Sequence, residues 1–166
     1  MPVEFEVKLN QKDMYRFHMY HIYTGIHGLT SILVAIFAFV YTVYSYGRVG
    51  TGYTVLYILF GVAFLIYYPV TMIWKSAAQI KAPNGLRDGI RYHVDAEGIR
   101  VSVGEESSLL PWKQIYKMVS NRHQILIYSS RIHAYIITRE AVGEQYEALR
   151  QLAEQNIEKH RFRMKK

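Results

Sequence analysis

From Phe17 to Gly47 the chain contains no Asp, Glu, Lys or Arg, and from Gly52 to Trp74 it again contains none. About 30 Å of lipid hydrocarbon is crossed by roughly 20 apolar residues of helix. The core of the first run, "GLTSILVAIFAFVYTVYSY" (Gly28 to Tyr46), and the second run, "GYTVLYILFGVAFLIYYPVTMIW" (Gly52 to Trp74), are each long enough. A buried helix of a water-soluble protein normally keeps a polar stripe, and neither run has one. The first run also starts too far into the chain, with too long an apolar core, to read as a cleavable leader. Two transmembrane helices are expected, 25–46 and 53–74, joined by the glycine-rich linker 47–52 into an antiparallel hairpin. A chain of 166 residues then has room for one further compact unit.

Lys8, Lys12 and Arg16 precede the hairpin, Lys75, Lys81, Arg87 and Arg91 follow it, and only Arg48 lies in the linker. This asymmetry puts both termini in the cytoplasm. Tyr41, Tyr44, Tyr46, Tyr53 and Tyr57 cluster about the linker, with Tyr20, Tyr23, Tyr67, Tyr68 and Trp74 near the inner ends. Amphipathic rings are enriched at those two levels, and those further into the spans equally suit helix packing. Pro69 lacks a backbone donor and is expected to kink or end the second helix. His18, His21 and His27 lie at the entrance to the first span, the first pair on one helix face. They form a candidate intramembrane or interfacial polar site, with no metal assigned, since no carboxylate or cysteine accompanies them in the run.

Outside the hairpin the periodicity changes. Residues 1–24 open with "VEFEVKL" (Val3 to Leu9), which alternates as a half-buried strand does, and continue into a helix-like stretch expected to run straight into the membrane. Residues 75–166 form the cytoplasmic domain. "GIRYHVD", "GIRVSVG", "QILIYSS" and "IHAYIIT" read as an antiparallel meander, and "SLLPWKQIYKMVS" (Ser107 to Ser120) as a helical turn before a strand. From Gly143 to Phe162, Tyr146, Leu149, Leu152, Ala153 and Ile157 fall at helical spacing opposite charged residues, so an amphipathic helix is expected to cover the sheet. The fold class is thus a membrane protein of α+β type, a two-helix hairpin followed by an antiparallel sheet domain closed by a C-terminal helix.

"YHVDAEGIRVSVGEESSLLPWKQIYKMV" followed by "ILIYSSRIHAYIITREAV" resembles the C-terminal domain of the YcxB-like family of bacterial membrane proteins. Pro111, Trp112 and Ile115, ahead of "AYIITREA", are its best markers; Thr138 stands where the family pattern has proline. The resemblance implies a small protein of the bacterial cell membrane, with two transmembrane helices ahead of a domain related to pleckstrin-homology (PH-like) domains. It implies no activity and no catalytic residues.

The chain has no cysteine, which removes disulfides, thiolate nucleophiles and Cys-based metal sites. No phosphate loop, HExxH, GxSxG or EF-hand spacing occurs. Ser107, Ser108, Ser129 and Ser130 neighbour His123 and His133 in sequence without a positioned carboxylate, so neither an enzyme nor a cofactor is expected. The net charge is +7, and residues 76–166 hold fifteen basic against ten acidic groups. The densest part is Lys159, Arg161, Arg163, Lys165 and Lys166, a candidate contact for anionic lipid headgroups or a solvated tail. Three readings follow: a domain that binds a protein partner as adaptor, regulator or immunity-type factor; a sensor of anionic headgroups; or an oligomeric transport path lined by His27. The spans show no charge and no strong small-residue dimer pattern to favour the last. Expected partners are membrane lipids, a protein and a second copy of the chain, not nucleic acid.

Overall fold

A computed structural model describes residues 2–82 and 89–165, and forms two compact units, Met1–Asp13 with Ala82–Lys166, and Met14–Lys81. Arg87 and Lys166, named above for their charge, lie outside the described residues.

The unit Met14–Lys81 holds most of α1 (Gln11–Tyr23), together with α2 (Ile26–Ser45) and α3 (Thr51–Lys81). Asn10 and Asp13 start α1 as a reciprocal cap: Asn10 N–H donates to the Asp13 carboxylate (3.2 Å), and Asp13 N–H to Asn10 Oδ1 (3.0 Å). The stretch does not run straight into α2. It stops at Thr24, whose hydroxyl donates to the Tyr20 carbonyl (2.7 Å), and Gly25 begins the next helix. Gly28 sits against the backbone of Ile22 and Tyr23, an approach that any Cβ would block.

The buried positions of α2 are Ser31, Ala35, Ala38, Thr42 and Ser45, after Gly28, all small and spaced by alternating threes and fours. That period keeps one seam turned toward a partner helix, here α3, which contributes Thr54 and Gly61. A small-residue pattern is therefore present after all, and is used within the hairpin. Packing at this seam uses close backbone approach and hydrogen bonds such as Ser31 Oγ to the Phe64 carbonyl (2.6 Å). Only 28% of the span in α2 and 11% of that in α3 is buried, the opposite of a soluble protein's core helix. Both helices are long and apolar enough to cross a membrane.

Pro69 does not end α3, which continues to Lys81. The Thr71 hydroxyl donates to the Tyr67 and Tyr68 carbonyls (2.8 and 3.1 Å) in the turn around it. Such side-chain donors help a helix accommodate proline.

The other unit contains two four-stranded sheets, not a single meander. The first has the order β1 (Val3–Val7), β2 (Ile90–Val94), β3 (Gly98–Val103), β4 (Glu106–Pro111), all antiparallel. The second has the order β7 (Ala134–Thr138), β6 (Gln124–Tyr128), β5 (Lys117–Ser120), β8 (Phe162–Arg163). Val3, Phe5 and Val7 of β1 are buried and Glu4 and Glu6 exposed, as the alternation requires. The reading of 107–120 as a turn before a strand is corrected. Its first residues complete the first sheet as β4, a 3₁₀ turn occupies only Trp112–Gln114, and β5 starts the second sheet. Ser107, Ser108 and Leu109 of β4 are exposed, so their spacing carries little burial signal.

Trp112 is buried at the corner between the sheets, where its indole N–H donates to the Asp95 carbonyl (2.9 Å). The Asp95 carboxylate accepts from Glu97 N (2.8 Å) and Gly98 N (3.2 Å), shaping the β2–β3 turn. A Cβ on Gly98 would meet the backbone of Leu110 and Pro111, so this crossing requires glycine. β6 is buried along its whole length. Gln124 at its start donates to the Asp13 carbonyl (2.8 Å), tying the second sheet to the point where the chain leaves this unit. After β7 come α4 (Arg139–Val142), a 3₁₀ turn and α5 (Tyr146–Asn156), which buries Tyr146, Leu149 and Ala153. The helix is shorter than the periodicity implied. Asn156 Nδ2 donates back to the Leu152 carbonyl (2.8 Å), Ile157 turns inward in extended conformation, and the chain returns as β8.

Candidate functional site

The basic segment near the C-terminus is docked onto the second sheet. Phe162 pairs with Met118 and Arg163 with Val119 in parallel register, and Met164 is buried. A closed hydrogen-bonded ring holds the end: Lys165 N–H donates to Ser120 Oγ (2.8 Å), Ser120 and Tyr146 share a hydroxyl bond (2.9 Å), and Tyr146 O–H donates to the Lys165 carbonyl (2.6 Å). Each member both gives and receives, an arrangement in which hydrogen bonds reinforce one another. The Arg139 guanidinium lies 3.7 Å from the Tyr146 ring centroid and fixes the ring from one side.

This arrangement sorts the candidate cations. Lys159 is exposed, and Arg161 is half-buried with its Nε 3.6 Å from Glu158. Arg163 and Lys165 are exposed on backbone that the sheet and the ring hold in place. The sequence located these charges; nothing in it pointed to Ser120 and Tyr146 as their anchor, because the three positions meet only in the folded chain.

The three histidines do not form one cluster. His18 Nε2 lies 3.0 Å from Gln79 Oε1, and His21 stacks on Phe17 (5.9 Å between centroids). Burial holds His18 below the ordinary imidazole range; the Gln79 hydrogen bond opposes this, and Lys75 and His21 add to it. His27 lies beyond the Thr24–Gly25 break. With Thr30, Ser31, Phe64, Tyr67 and Tyr68 it lines a mostly apolar cavity of about 340 Å³ between α2 and α3.

Pro111, Trp112 and Ile115 act as architecture. Pro111 ends β4, Trp112 holds the sheet corner, and Ile115 is buried beside β5. On the outer face of β1 and β2, His93 Nδ1 faces Glu4 (2.5 Å) and Nε2 faces Asp95 (3.3 Å), joining strands that are far apart in sequence. The hydrogen bond from Glu97 N holds the Asp95 carboxyl below its ordinary range, with Gly98 N, His93 and Arg100 acting in the same direction against partial burial. Of the serines beside histidines in sequence, Ser130 shapes a turn by accepting from Ile132 N (3.3 Å) and His133 N (3.0 Å). Burial pushes the Tyr92 hydroxyl well above its ordinary range.

Residues 94–153, from the end of β2 into α5, match the family described as YcxB-like protein. The resemblance carried by Trp112 and its neighbours is thus shown over that stretch, which includes the sheet corner and the start of the covering helix. No curated protein and no solved structure matches the chain.

Proposed function

We propose that this chain is a non-enzymatic protein of the cell membrane, both termini cytoplasmic, that displays a PH-like domain to bind a protein partner. One observation carries the reading: a compact unit of two sheets and a covering helix is joined by chain, through α1 after Asp13 and directly at Ala82, to two helices long enough to cross a membrane. A doubly tethered domain is confined to the membrane surface, where its effective concentration toward membrane-bound partners rises without any new contact. Two sheets closed by a C-terminal helix are also the outline of a PH-like domain, a fold suited to recognition, and the YcxB-like match covers its central part.

Crosslinking the full-length protein in its native membrane tests this, with Trp112→Ala as a fold-disrupted control. A single protein recovered in near-equal amount, and lost in the control, is the expected result. Recovery of lipid alone, or of the chain alone, refutes it.

A second reading, headgroup sensing, is favoured by the exposed and anchored Arg163 and Lys165. Each near-surface cation contributes about 1 kcal/mol on an anionic leaflet. Binding of the full-length protein to anionic vesicles would then weaken steeply with salt and with Arg163→Gln and Lys165→Gln together.

A further inference from the structure

We infer that one end of the second sheet is a docking surface for an acidic protein segment that carries an apolar side chain, an inference that rests on the protein-binding reading above. The sheet order is β7, β6, β5, β8, with β5 and β8 parallel and β6 antiparallel to β5. The start of β5, the β6–β7 turn and the start of β8 therefore share one end. Backbone bonds confirm the grouping: Tyr116 N donates to the Tyr128 carbonyl (2.8 Å), Met118 N to that of Arg161 (2.9 Å) and Ser129 N to that of His133 (3.1 Å). Three sequence segments thus bring Lys117, Arg131, His133 and Arg161 onto a strip three strand spacings wide, about 15 Å.

Two apolar side chains stand among these basic groups, Ile132 at 70% exposure and Tyr116 at 43%. A single exposed apolar residue is ordinary. Here the turn is fixed by Ser130, whose hydroxyl accepts from Ile132 N and His133 N, so Arg131 and Ile132 are held outward at little further entropic cost on binding. Lys117 is likewise steadied, its Nζ 4.3 Å from the Tyr128 ring centroid. The nearby acid Glu158 is engaged by His160 (3.4 Å) and Arg161 (3.6 Å). With Arg161 shared with Glu158, what remains is a preorganised basic strip of Lys117, Arg131 and His133 with an apolar tip, complementary to an acidic chain with one apolar anchor.

A protein occupant is favoured over a lipid surface by the small apolar area: Ile132 and Tyr116 suit one anchored side chain, whereas membrane binding scales with the apolar area inserted.

The test uses the full-length protein in detergent micelles and fluorescence polarisation. The probe is a labelled peptide of Glu and Asp with a central Leu; its control has Gln and Asn for the acids. Saturable binding of the acidic peptide alone, weakened at least tenfold by Arg131→Glu and by Ile132→Asp and reduced by salt, is expected. Both positions are exposed, so the fold survives these changes, which circular dichroism verifies. Equal binding by both variants, no binding of the acidic peptide, or preferential binding of phosphatidylserine vesicles through these same residues overturns the inference. A native partner crosslinked equally by wild type and both variants also overturns it, and leaves the protein-binding reading standing.

Discussion

Replacing Trp112 separates its two contributions to the sheet corner. The side chain is buried, 6% exposed, and donates one hydrogen bond to the Asp95 carbonyl. A tryptophan removes about 200 Å² from water, worth about 5 kcal/mol at 25 cal/mol per Å² as an upper bound. Core Trp→Ala changes measure about 3–5 kcal/mol, so about 4 kcal/mol is expected for Trp112→Ala. Trp112→Phe keeps most of the burial but removes the donor, a net loss of about 1 kcal/mol. The readout is hydrogen exchange of the amides in β6, whose residues Gln124–Tyr128 are all buried and open only with the unit. Protection should fall roughly 10³-fold in the Ala variant and about fivefold in the Phe variant, at 1.4 kcal/mol per decade. A fall of less than thirtyfold in the Ala variant, or equal falls in the two, would refute the reasoning.

Tyr146→Phe breaks the ring that anchors Lys165; a loss of about 1–2 kcal/mol should appear as faster tryptic cleavage after Arg163, and unchanged cleavage would count against the anchor. Asp95 has its carboxyl pKa lowered on folding from an ordinary 3.8, so it stabilises the fold above that pH and the contribution is lost as pH falls through the lower folded value. Wild type should therefore outlast Asp95→Asn in urea at pH 6, with the gap closing below about pH 3.8; a constant gap would refute the assignment. Ala35 is fully buried in the small-residue seam, and Ala35→Leu should cost about 1–3 kcal/mol, seen as helix loss at lower sodium dodecyl sulfate fraction than wild type.

Much of the organisation was legible along the chain because it rests on local periodicity. An uncharged run of sufficient length reads as a span wherever it occurs, and "VEFEVKL" shows its buried face every second residue. The small seam of Ser31, Ala35, Ala38, Thr42 and Ser45 is equally legible by its spacing, which alternates threes and fours and so lacks the repeated every-fourth pattern of a dimer motif. Tertiary structure alone decided the rest. The division into two sheets depends on Trp112 reaching Asp95, and β4 escapes the alternation rule because exposed Ser107, Ser108 and Leu109 record no inward face. The basic strip and the ring of Ser120, Tyr146 and Lys165 arise from residues far apart in sequence. Sequence by itself determined where this chain is apolar, where it alternates and where its charge lies, since each residue carries those properties alone. Only the fold decided which distant groups meet, because pairing across strands depends on register and topology, which no single segment contains.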